Sequence, residues 1–299
     1  MTAKLALCVT ITLTLSSLKT VSLYLASIAP RSLSGPIEPA TASSQADFTA
    51  IDPANAIHRE LTGGQKHAFR IGLAEGQYAR VLIEQQGIDI VARLLSSAGK
   101  MIFEIDADPR KVGEEVIEFT TTGCGACLLT IEPRQRNAAP GRYEVRIAEL
   151  RAATEKDFVL NEARQLQSEA TQLWKQDKYD EALPLAERAL SIREKELGLD
   201  DPDVATSLFG LANICSDNGD SARVEPLYLR ALAIREKNLG ADHIAVSAIL
   251  NNLGAFYQER GEYTKAQTVF QRALSIREKW LEPDHLLIAS ARGYSGSDF

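Results

Sequence analysis

Histidine and cysteine are scarce, with four of each in 299 residues. A structural zinc site takes four such ligands at short spacings. Cys8, His58, His67, Cys215, His243 and His285 are too scattered to complete one around Cys124-Gly125-Ala126-Cys127, so no metal is expected. That CxxC pair leaves three readings open: a redox couple, half a metal site, or a structural disulfide between Cys124 and Cys127. Redox couples of this spacing normally open a helix in a βαβ setting, and this one stands at a turn between alternating segments. A disulfide tightening that turn fits an exported chain. Excess positive charge is also missing. The net charge of −7 argues against a nucleic-acid partner, which requires a basic face. Phosphate-cradling loops are absent, since Gly63-Gly64-Gln65-Lys66 lacks both the Gly-Lys pair and a leading glycine. There is no G-x-S-x-G elbow and no marked Ser-His-Asp arrangement, so neither a catalytic residue nor a small-molecule cofactor is expected. Aromatics make up 6% of the chain. In its middle third Tyr78, Phe103, Phe119 and Tyr143 fall mostly at inward positions, a poor platform for a sugar.

Repetition is abundant. Ala189-Leu190-Ser191-Ile192-Arg193-Glu194-Lys195 returns 42 residues later as Ala231–Lys237, with one change, and again as Ala273–Lys279. Leu166, Leu208 and Leu250 keep the same step, as do Ala170, Ala212 and Gly254. A fixed period of this size signifies a stacked array. Within each copy apolar residues recur at helical spacing: Leu250, Leu253, Gly254 and Tyr257, then, beyond Gly261, Tyr263, Ala266, Phe270 and Ala273. Each copy is therefore a pair of amphipathic helices that can bury its stripe only against a neighbour. The Arg-Glu-Lys runs set opposite charges on successive residues and are expected to form a solvated helix face.

The small residue, the apolar residue three on, the glycine before the second helix and the Tyr-x-x-Ala of Tyr263–Ala266 resemble the tetratricopeptide repeat. The period and the Leu-Gly-x-Asp-His link look like its kinesin-light-chain type. The first copy is degenerate: Asp177 stands for the turn glycine, and in the second Ser221 stands for the turn tyrosine. The array is expected over 155–285, in repeats of about 160–201, 202–243 and 244–285, with 286–299 an incomplete fourth. That loss of pattern suggests a truncated or frame-shifted reading frame. The resemblance implies a non-catalytic scaffold that binds a protein or peptide in a concave groove lined by the first helices. The groove columns hold Gln167, Thr171, Trp174 and Lys175; Asn213, Ser216 and Asp217; and Asn251, Asn252, Gln258 and Glu259. Trp174 is either a groove hot spot or packed against the junction below it.

Residues 1–29 run basic, then apolar, the layout of a signal peptide. Leu5–Ala29 is also long enough to be an uncleaved membrane anchor or tether. Export is expected, to the periplasm or to an extracytoplasmic membrane surface, with the cytoplasm as the alternative. Residues 30–52, rich in Ser, Pro, Ala and Thr, read as a linker. From 53 to 150 the period falls to two, in seven short runs from His67–Ile71 to Tyr143–Ile147, which predicts a small all-β sandwich. Gly76-Gln77-Tyr78, Gln86-Gly87-Ile88-Asp89 and Gly141–Ile147 make this segment similar to the β-domain preceding repeats in bacterial CHAT-domain proteins, itself of pre-peptidase C-terminal type. In those relatives a caspase-like protease domain follows. This resemblance implies the alternative that the chain is the recognition portion of such a protease.

Overall fold

The computed structural model describes residues 48–105, 112–121, 126–281, 285 and 287–288. The expected signal peptide or anchor, Cys124 and most of 286–299 lie outside these. No helix among the described residues is long and apolar enough to cross a membrane.

Strands come first: β1 (Thr49–Ala50), β2 (Ile57–Leu61), β3 (His67–Gly72), β4 (Gln77–Gln86), β5 (Ile90–Leu95), β6 (Met101–Ile105), β7 (Val112–Thr120), β8 (Ala126–Pro133) and β9 (Gly141–Ala152). One sheet is ordered β1-β3-β8-β5-β6 and the other β2-β9-β4-β7. Alternation drives one face of each into a shared core: Phe69, Ile71, Leu94, Leu129 and Ile131 from the first, Val81, Ile83, Ile117, Phe119, Tyr143 and Val145 from the second. Two strands are absent from the seven runs that alternation picks out. In β2 only Leu61 is fully buried, so the strand is held by backbone pairing to β9, from Ile57 opposite Val145 to Leu61 opposite Gly141. β1 falls inside the stretch expected to be linker. It pairs in parallel with β3, and Ile51 after it enters the core.

Six helices follow: α1 (Glu155–Trp174), α2 (Tyr179–Leu197), α3 (Pro202–Asp217), α4 (Ser221–Leu239), α5 (Ile244–Glu259) and α6 (Tyr263–Trp280). The turn inside each pair needs one residue in the left-handed region. Gly219 and Gly261 supply it at φ 80° and 73°, and Asp177 adopts it at 59° without being glycine. Small residues let the paired helices close: a Cβ on Gly254 would sit 2.6 Å from the Phe270 ring of α6. α1 touches α3 and α3 touches α5, so the first helices of successive pairs lie side by side on the inner face. The links are capped. Asp201 Oδ1 accepts from Asp203 N at 2.8 Å, His243 Nδ1 from Ala245 N at 3.2 Å, and His285 Nδ1 from Leu287 N at 3.1 Å. His243 and His285 are thus helix caps.

The Arg-Glu-Lys runs are not a solvated face. Arg193 and Arg277 are 6% and 4% exposed. Each arginine donates to the backbone carbonyl ten residues on, in the next repeat: Arg193 to Asp203 (3.4 Å), Arg235 to Ala245 (3.4 Å), Arg277 to Leu287 (3.0 Å). Arg193 also donates to the buried Ser207 Oγ at 2.6 Å. Each glutamate faces an arginine of the following repeat, Glu194 with Arg230 at 2.5 Å and Glu236 with Arg272 at 2.6 Å. The lysines reach back, Lys237 to Asp200 at 2.5 Å and Lys279 to Asp242 at 2.6 Å. Only the lysine is solvated as expected. Alternating signs serve bonding between repeats because neighbouring residues on one helix point toward different neighbours.

Strand β9 passes into α1 through only Ala153 and Thr154. Thr154 and Asp157 form a capping box, and Arg151 grips Asp157 with two nitrogens at 2.5 and 3.0 Å while lying over the Tyr78 ring at 4.1 Å. These bonds hold the Asp157 carboxyl well below the usual range, Arg151 being the largest cause. Across the junction Arg164 pairs with Glu118, and Thr120 N donates to the buried Asn161 Oδ1 at 3.3 Å.

Candidate functional site

Because the first helices share the inner face, the candidate groove residues come together there, though not equally. Trp174, half-buried at the edge of the helical core, donates from its indole nitrogen to Asp217 Oδ2 at 2.7 Å. It joins the first repeat to the second along the groove edge, instead of packing on the junction. Asn213 Oδ1 accepts both the Tyr228 hydroxyl (2.6 Å) and Asn252 Nδ2 (2.9 Å), and Asn251 Nδ2 lies 3.5 Å from Asn252 Oδ1. This ladder fixes amides from α3 and α5 in one register. Gln167 slots between α1 and α3, its amide where a Cβ on Gly210 would stand, and its Oε1 is closed off from solvent with no donor. Thr171 Oγ1 is spent on Gln167 O at 2.8 Å. Lys175 turns out of the groove toward Glu104 of β6, at 3.4 Å. Ser216 and Gln258 are half-buried, and Glu259 is exposed.

Tyr228 is the organising residue absent from the candidate set. Its column reads Ala186, Tyr228, Phe270 and passes for plain core; the hydroxyl in the middle copy is the available signal. At 2% exposure the phenol is pushed far above its usual range, first by burial and then, more weakly, by Asp217, Cys215 and Glu259, with Asn252 pulling the other way. It remains a neutral donor at any physiological pH.

Elsewhere little chemistry is assembled. Cys127 is buried in the sandwich, and its expected disulfide partner Cys124 lies outside the described residues. Burial also raises the Cys215 thiol. Among the described residues no group of three or more His, Cys, Asp and Glu is placed to hold a metal ion. A depression of about 380 Å³ on the inter-repeat link, lined by Leu199, Asp200, Arg230, Ala233, Ile234 and Lys237, offers no nucleophile paired with a base.

The family model described as "Tetratricopeptide repeat" matches residues 165–237 and 245–297. No curated protein matches the chain. Among solved structures, a putative kinesin light chain from Podosopora anserina with nearly identical TPR-like repeats is 23% identical. It is matched over 44% of this chain and 63% of its own, with a TM-score of 0.42. BtubC (BKLC) from P. vanneervenii is 22% identical over 48% of this chain and 59% of its own, at 0.41. This chain thus spans less than two thirds of either. The pre-peptidase C-terminal domain of a collagenase from Bacillus anthracis is 15% identical over 34% of this chain and 94% of its own, at 0.28. The helical half of this chain, stacked with a 42-residue period on a nine-stranded β-domain, is a tetratricopeptide-repeat array.

Proposed function

We propose that the chain is a non-catalytic scaffold that binds a peptide or protein segment through the concave face of α1, α3 and α5. One observation carries this reading: the ladder Tyr228–Asn213–Asn252. It holds side-chain amides of two successive repeats in a single register, which suits recognition of an extended backbone. Trp174, fixed by Asp217 at the groove edge, adds a rigid aromatic surface of the kind that dominates binding energy. Preorganisation matters here because groups already held in place lose little further freedom on binding. The basic-then-apolar run of residues 1–29 supports export of this scaffold, tested by fractionating the source cells and sequencing the mature N-terminus.

The functional test selects peptides from a random display library on the full chain, then measures their affinity for Asn213→Ala/Asn252→Ala. A loss of about tenfold or more, on the order of 1.4 kcal/mol, is expected. Selected peptides that bind this variant as tightly as wild type refute the groove.

A further inference from the structure

We infer that the occupant of the concave face is a cationic extended peptide, its Lys or Arg side chains seated on Asp217 and Glu259 while the ladder amides address its backbone. This rests on the groove reading above and adds the charge class of the ligand. Over the rest of the array carboxylates are matched with cations: Glu187 with Arg223 at 2.6 Å, Glu194 with Arg230 at 2.5 Å, Asp200 with Lys237 at 2.5 Å and Glu236 with Arg272 at 2.6 Å. Asp242 has Lys279, and Glu262 has Lys265, both at 2.6 Å. The groove column 175, 217, 259 breaks that pattern. Its one cation, Lys175, is drawn off to Glu104 of the sandwich. Asp217 accepts from the neutral indole of Trp174, and among the described residues no ion pair is formed by Asp217 or Glu259. Arg260, next to Glu259 in the chain, is directed to Glu262 at 2.9 Å and over the Phe256 ring.

The remaining polar atoms lean the same way. Gln167 Oε1, between α1 and α3, is an acceptor without a donor. Asp217 and Glu259 both add to the upward push on the Tyr228 phenol, as an anionic local field would. A concave surface lined by one sign of charge concentrates ligands of the other, and complementary charge sets on-rate and partner choice more than raw affinity. Ammonium or guanidinium donors satisfy these acceptors; an acidic segment would meet repulsion from two successive repeats.

Fluorescence polarisation tests this with three labelled octapeptides on the full chain, alternating Ser with Lys, Ser with Gln, or Ser with Glu, at low and high salt. The Ser–Lys peptide is expected to bind most tightly and to weaken with salt. It should lose about tenfold against Asp217→Asn/Glu259→Gln and little against Glu75→Gln/Glu84→Gln, which removes equal charge from the exposed sandwich surface. Should the double groove variant fold poorly by circular dichroism, Glu259→Gln alone, whose side chain makes no printed bond, is expected to cost about threefold. Equal weakening by both double variants, or preference for the Ser–Gln or Ser–Glu peptide, overturns the charge assignment. If such a preferred peptide is weakened by Asn213→Ala/Asn252→Ala, the groove reading survives and only the cation fails. If no peptide responds to that variant, both fall.

Discussion

Within one heptapeptide the same kind of residue does opposite work. Arg193 is buried against Ser207 and the Asp203 carbonyl, while the Lys195 side chain is 83% exposed. Burial lowers the Arg193 pKa, and removing the side chain strands a buried hydroxyl and a carbonyl. Arg193→Met should therefore lower stability by about 2 kcal/mol in urea unfolding, and Lys195→Met by about 0.5 kcal/mol at most. Equal losses would mean the arginine is not a clamp. Asp157 makes a pH prediction. Its folded-state pKa is depressed, so its contribution is complete above the ordinary carboxylate value of about 4 and is lost as pH falls below it. The urea midpoint of wild type should drop more steeply from neutral pH into that acid window than that of Asp157→Asn. Parallel slopes would remove the Arg151–Asp157 grip from the account.

Helix pairs were legible because three copies of the same columns repeat their error-correcting context: Ala170, Ala212 and Gly254 mark the tight crossing whichever copy is read. The left-handed turn was legible at Gly219 and Gly261, and Asp177 shows the backbone demand persisting where the glycine is missing. Strand β2 was not legible, since an edge strand with His58, Arg59 and Glu60 exposed carries no alternation, its pairing being a backbone matter. Nor was the role of the charged runs, which depends on which neighbouring repeat each side chain meets. The α5–α6 crossing gives the sharpest element-level test. Alanine has the better helix propensity by about 1 kcal/mol, yet Gly254→Ala drives a methyl into Phe270, which is 1% exposed and has nowhere to go. A net loss of about 1–2 kcal/mol is expected from overpacking, read as a lowered melting temperature. A gain would show that the helices can spread.

Over the whole molecule, the sandwich and the array are joined by a two-residue link, a capping box and the contacts of α1 with β6 and β7. The sandwich also takes Lys175 out of the groove through Glu104, so the β-domain influences the charge of the surface beside it. Glu104→Gln should release Lys175 and weaken the Ser–Lys peptide severalfold by adding an unpaired cation near Asp217; unchanged affinity would show that the two domains are electrostatically independent. The groove columns were legible from the tetratricopeptide resemblance, but the Tyr228 ladder and the diversion of Lys175 were not, because both depend on contacts with other elements. The central claim is that the first helices, and not the sandwich or the outer helices, are the recognition surface. Hydrogen–deuterium exchange of the full chain, with and without a peptide selected by display, tests it directly. The account predicts new protection in α1, α3 and α5 around Trp174, Asn213 and Asn252, with α2, α4, α6 and the strands unchanged. Protection centred on the sandwich or on α2, α4 and α6 would contradict it.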